Sequence, residues 1–141
     1  AWTRRALVGA DDILIVAEPD LANMRNTRNI MNMLKSARPN DRPPLYCLNQ
    51  VGMAKRPEIE VKAFAKTVES QPIATIAFDS RTFGEAANNG QMIAEIDEAH
   101  RAAKTFLQVA RRLTGRPEPK KARGSFLQPL LGKLGGRRGA A

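Results

Sequence analysis

The sequence is poor in the residues that most often carry chemistry. It holds one cysteine and one histidine. An internal disulfide is excluded, and a four-ligand Cys/His zinc site has no support. Cys47 lies inside an apolar run and reads as a small packing residue, in keeping with a reducing, cytoplasmic setting. His100 sits among Glu98, Arg101 and Lys104 and reads as a solvated helix residue. No Ser/His/Asp or Cys/His set suits nucleophilic catalysis, so no catalytic residue and no metal ligand is assigned. Aromatics make up 5% of the chain, which leaves aliphatic side chains to fill most of a core. No apolar run approaches the roughly 20 residues that span a bilayer, and no secretory signal is visible. The chain opens on Ala1-Trp2-Thr3 without an initiator Met, as a cut from a longer protein or processing would leave it.

Two phosphate-binding patterns are also missing. No G-x-x-x-x-G-K-[ST] occurs: Gly132-Lys133 is followed by Leu134 and follows no strand. No G-x-G-x-x-G occurs either. Without a backbone cradle and its lysine, triphosphate affinity is expected to be weak.

What is present describes an ordinary folded domain with an unusual end. The 141 residues suffice for one core, and 43% hydrophobic with 26% charged is typical of a globular chain. The net charge of +9 is uneven: residues 1–115 carry 16 basic against 13 acidic groups, and residues 116–141 carry 7 against 1. The excess therefore marks a tail and points to an acidic partner, whether anionic lipid, nucleic acid or protein.

Short β-branched runs alternate with helical spacing. Ile13 to Val16, Leu45 to Leu48 and Ile73 to Phe78 read as strands buried on both faces. Asp20 is a good N-cap for a helix from Leu21 to about Ala37, in which Met24, Thr27, Ile30, Met31 and Leu34 share a face. Ile59 to Val68 and Phe83 to Asn88 read as helices, the latter closed at Gly90. Ile96, Ala99, Ala103, Phe106, Ala110 and Leu113 make one long amphipathic stripe ending at Gly115. Helices between short strands imply crossovers and a parallel sheet. Three strands are few for a doubly wound fold, so residues 1–115 read as the second half of a larger α/β domain. A linker follows at 116–123 and a basic tail at 124–141.

In open parallel sheets ligands bind beyond the carboxyl ends of the strands. The second run ends there in Asn49-Gln50 and then Val51-Gly52. An Asn offers an acceptor and two donors, the set that matches an adenine edge. It also commonly caps or turns a chain, and spacing alone leaves both readings open. The third run ends in Phe78-Asp79 at the same edge. Its main chain would complete a base pocket beside Asn49, with a plain helix cap at Asp79 as the simpler reading. In the tail, Leu127, Leu130, Leu131 and Leu134 follow helical spacing beside Phe126 and Lys133. Such a face suits an anionic membrane surface. Pro129, Gly132 and Gly135-Gly136 weaken the helix, and a disordered basic tail fits the composition equally.

Three blocks carry a family resemblance: Thr3-Arg4-Arg5-Ala6-Leu7 through Ile13 to Asp20, Asn40 through Asn49-Gln50-Val51-Gly52, and Phe83-Gly84-Glu85-Ala86-Ala87-Asn88-Asn89-Gly90-Gln91-Met92-Ile93. From Trp2 to about Gly115 the chain resembles the carboxyl-terminal half of the CpaE/TadZ branch of the MinD/ParA-like P-loop ATPases, which are Flp (Tad) pilus assembly proteins. The resemblance implies an α/β, doubly wound, mainly parallel sheet and an ATP- and Mg-dependent homodimer. It implies a place on the cytoplasmic membrane face, with pilus assembly machinery as partner. It puts Asn49, Gln50, Phe78 and Asp79 at the adenine, and the segment Asp20 to Ala37 near a dimer or partner face. In that family the phosphate loop, the switch acids and the Mg-linked aspartate lie upstream of the matched stretch. This chain alone is therefore expected to hold no cofactor tightly and to be inactive as an ATPase. Two other functions compete: a non-enzymatic adaptor binding membrane or a pilus motor through its tail, and nonspecific nucleic-acid binding. The near balance of charge over residues 1–115 makes nucleic acid the weaker of the two.

Overall fold

The computed structural model describes residues 2–115. The linker at 116–123 and the tail candidates Phe126, Leu127, Leu130, Leu131, Lys133 and Leu134 lie outside the described residues.

The elements run α1 (Trp2–Gly9), β1 (Leu14–Ala17), α2 (Leu21–Ala37), β2 (Leu45–Val51), α3 (Val61–Val68), β3 (Ala74–Ala77), α4 (Ser80–Asn89), α5 (Ile93–Ile96) and α6 (Arg101–Thr114). The strands form one parallel sheet in the order β1-β2-β3. Leu14 pairs with Leu45 and Ala17 with Leu48, and Cys47 pairs with Ala74.

Helix α2 has the bounds its sequence implies, because both ends are fixed locally. The Asp20 carboxylate accepts the Asn23 backbone N–H at 2.7 Å and the Asn23 side-chain amide at 2.8 Å. At the other end the Arg38 N–H closes on the Leu34 carbonyl. Helix α4 is likewise capped by Asp79 and ends at Gly90, whose φ of 63° suits a residue without a Cβ.

Two small cores lie on opposite faces of the sheet. On one, Ala17, Tyr46 and Leu48 meet Phe64 and Val68 of α3, flanked by Met24 and Met31 of α2. Tyr46 and Phe64 stack with centroids 5.7 Å apart, and the Tyr46 hydroxyl donates to the Ser70 carbonyl at 2.9 Å. Burial pushes the Tyr46 phenol up to about 12 and raises the Cys47 thiol, so neither group is a ready nucleophile. On the other face, Ile76 packs on Ala86, Ile93, Ala102 and Ala103 of the last three helices.

Three expectations are corrected. Strand β1 is not buried on both faces: Val16 is 60% exposed, since the helices over its side of the sheet cover β3. Strand β2 does not stop at Leu48 but continues through Asn49 and Gln50 to Val51. The stripe from Ile96 to Leu113 is not one helix. Asp97 accepts the Ala99 N–H at 2.8 Å, His100 caps a new helix, and the chain turns between α5 and α6. Only the first turn of α6 is buried, and Phe106 stays 42% exposed.

Phe64→Ala should therefore destabilise the domain by about 3–5 kcal/mol, whereas Val16→Ala should change it by no more than about 0.5 kcal/mol. Urea unfolding of the two variants tests this; equal losses would show that the two faces of the sheet are packed alike.

Candidate functional site

The carboxyl ends of β2 and β3 are irregular where they meet. Leu48 pairs with Thr75 and Val51 with Ala77, so Asn49 and Gln50 together span the place opposite Ile76. This is a bulge, a device that re-aims side chains and is common beside functional sites. Gln50 adopts φ of 56°, the left-handed region that residues with a Cβ rarely occupy.

Specific bonds hold that backbone. The Asn49 Oδ1 accepts the Gln50 N–H at 2.9 Å. Arg56 Nη2 donates to the Gln50 carbonyl at 2.6 Å and to Glu58 Oε1 at 3.1 Å. Its Nη1 donates to Glu18 Oε2 at 2.6 Å, while Nε is buried without a partner among the described residues. The Glu58 carboxylate also accepts the N–H groups of Gly52 and Met53. Loops following β1 and β2 are thereby tied to one guanidinium that is only 19% exposed. The Phe78 N–H donates to the Val51 carbonyl at 2.8 Å and joins the end of β3 to the same assembly.

Asn49, Gln50, Phe78 and Asp79 line one cavity of about 320 Å³, with Ala77, Ser80, Phe83 and Gly84. The size lies at the small end of ligand pockets, enough for a planar base and not for a whole nucleotide. Phe78 is 41% exposed and offers a ring face. The ring of Phe83 is held edge-on by Phe106, 6.3 Å away. With one Asn49 lone pair committed to Gln50, its Oδ1 keeps a second and its amide keeps both donors. A larger hollow of about 450 Å³ lies beside Ile13, Met31, Arg38 and Pro44. It opens at the amino ends of the strands, contains none of the four residues, and is on the wrong edge for a parallel-sheet ligand site.

Asp79 serves two neighbours. One oxygen accepts the Thr82 N–H at 3.0 Å and caps α4; the other lies 3.2 Å from His100 Nε2. The His100 Nδ1 accepts the Ala102 N–H at 3.2 Å and caps α6. His100 is thus not the solvated side chain its charged neighbours imply. Neither it nor the Arg56–Glu58 pair was legible as part of a site. Arg56 sits in a loop without periodicity, and a His at a helix cap differs in no sequence pattern from one on an open face. Among the described residues there is no cluster fit to hold a metal, and no helix long and apolar enough to cross a membrane.

No protein-family model matches the chain. Comparison with solved structures is decisive for the fold. MinD from Aquifex aeolicus superposes with a TM-score of 0.63 and 25% identity, over 81% of this chain and 48% of that one. The fold is a MinD/ParA-like P-loop NTPase fragment. A ParA family ATPase from Chlorobium tepidum superposes on the same MinD/ParA-like fragment at a TM-score of 0.62 and 20% identity, over 76% of this chain and 44% of its own. In sequence, the septum site-determining protein MinD of Bacillus subtilis is 24% identical over 119 residues, 82% of this chain. The chain spans less than half the length of that curated relative, 43%.

Hydrogen bonds hold three carboxyls at this edge below their ordinary range. The Asn23 N–H does so for Asp20, the Gly52 N–H for Glu58, and the Thr82 N–H, aided by His100, for Asp79. A carboxyl more acidic in the folded than in the unfolded chain stabilises the fold above its unfolded pKa, and that contribution is lost as pH falls through the folded value. The thermal midpoint should fall as pH is lowered through about 4. Replacing all three residues by their amides should flatten that dependence; a wild-type midpoint unchanged down to about pH 3 would contradict it.

Proposed function

We propose that this chain is the carboxyl-terminal, adenine-binding part of a CpaE/TadZ-type pilus assembly ATPase. The observation that carries this reading is the convergence of Asn49, Gln50, Phe78 and Asp79 on one base-sized cavity at the carboxyl edge of a MinD/ParA-like sheet. In it the Asn49 amide reads the adenine edge, Phe78 packs on the ring face, and main-chain groups around Asp79 complete the pocket. The complete protein binds ATP with Mg, dimerises around it and is reset by hydrolysis. One superposing structure is a complex of MinD with a second protein, MinC, and binding of a pilus-assembly partner follows the same plan here.

Adenosine is the probe of choice because it needs no phosphate cradle. Titrated into the ¹⁵N-labelled chain, it should shift the Asn49, Phe78 and Asp79 amides, and Asn49→Ala should weaken binding about tenfold. Shifts confined to the hollow beside Arg38 would overturn the assignment. The chain alone should show no Mg-dependent ATP turnover.

A second reading rests on the concentration of charge at 116–141, 7 basic against 1 acidic group. Here the chain is a non-enzymatic adaptor on the cytoplasmic face of the membrane, anchored through 124–141. Burying each Leu or Phe of that segment contributes about 1.5–3 kcal/mol before folding costs, a weak anchor that dimerisation would reinforce. Vesicles containing anionic lipid should float the chain with its tail and leave behind one ending at residue 123; equal flotation of both removes the anchor.

A further inference from the structure

We propose that His100 is a positioning residue for the base pocket, holding Asp79 and through it the Phe78–Asp79 wall. The proposal rests on the reading of that cavity as a base site. Three bonds fix the wall: Phe78 N–H to Val51, Asp79 to the Thr82 N–H, and Asp79 to His100. The first two come from β2 and α4, which line the cavity themselves. Only His100 reaches in from α6, on the far side of the wall.

Its protonation pattern follows from its partners. Nδ1 accepts the Ala102 N–H and so carries a lone pair, which leaves the ring proton on Nε2. Nε2–H therefore donates to Asp79 Oδ2. The neutral ring caps α6 with one nitrogen and orients a pocket carboxylate with the other. A second hollow, of about 270 Å³, lies behind Phe78 and Asp79, bounded by His100, Arg101 and Thr105. Without the imidazole, Asp79 has room to turn into that space, and the wall of the base pocket loses its backing.

His100→Asn separates capping from positioning. The short amide still caps α6 but does not reach Asp79. In the full chain, this variant should keep its helical circular dichroism and the slow exchange of its Ala102 amide. Its adenosine affinity should drop about threefold to tenfold. Combined with Asp79→Asn, it should add nothing further, as expected of two residues acting as one unit. Affinity equal to wild type, or strictly additive losses, would overturn the proposal. A readout without ligand keeps the test separate from the base-pocket reading. The Thr82 amide, capped by Asp79, should exchange several-fold faster in His100→Asn. Faster Thr82 exchange with no adenosine binding even in wild type would uphold the positioning and overturn the base reading. Unchanged Thr82 exchange would overturn the positioning itself.

Discussion

Arg56 is the constraint on which the carboxyl edge depends. Its guanidinium is planar and offers donors in a fixed fork. Here the fork spans Glu18 after β1, the Gln50 carbonyl within the bulge, and Glu58 before α3. A largely buried charge is tolerated only when it is paired, and the two carboxylates meet that condition. In exchange the guanidinium holds a main-chain carbonyl in place. Gln50 adopts a backbone conformation that costs on the order of 1 kcal/mol for a residue with a Cβ, and the bond to Arg56 offsets part of it. The bulge in turn sets where Asn49 faces. The geometry of the cavity at this edge is therefore decided by a residue that does not line it.

The two faces of the sheet are finished to different degrees. Tyr46, Leu48 and Ala17 are covered by α2 and α3 across their whole face. On the opposite face cover begins at β3 and does not extend to β1, where Val16 remains open. An apolar edge strand without a charge or proline invites pairing, and Leu14-Ile15-Val16-Ala17 has neither. The superposed MinD structure is about twice as long as the stretch matched to it. A bare face and a bare edge on the same strand are what one expects where a larger sheet would continue.

Sequence patterns made the fold legible wherever the deciding interaction was local. Asp20 and Asn23 lie three positions apart, and their cap fixed the start of α2 at Leu21. Gly90 likewise marked the end of α4, whereas its start, expected at Phe83, lies a turn earlier at Ser80 behind the Asp79 cap. The parallel sheet followed from alternation of short β-branched runs with helical spacing. Patterns failed where the interaction was distant in sequence. The extension of β2 through Asn49 depends on Val51 meeting Phe78. The break before α6 is local, with Asp97 and His100 accepting the Ala99 and Ala102 N–H groups, but apolar periodicity does not register such caps. Asn49, Gln50, Phe78 and Asp79 were each legible as strand-end residues, but not the bulge that brings them together.

The pocket's form bears on how it would be used. It is open, base-sized and lined by two amide residues, Asn49 and Gln50, by Asp79 and Ser80, and by the exposed ring of Phe78. Contacts of that kind select among bases better than they retain a nucleotide, because most affinity for a triphosphate comes from charge and backbone donors around the phosphates. Rigidity matters more than contact area for a cavity that is to discriminate among rings, since a wall that yields to any ring would discriminate poorly. Two side chains behind the pocket, Arg56 under the bulge and His100 behind Asp79, provide that rigidity from outside it.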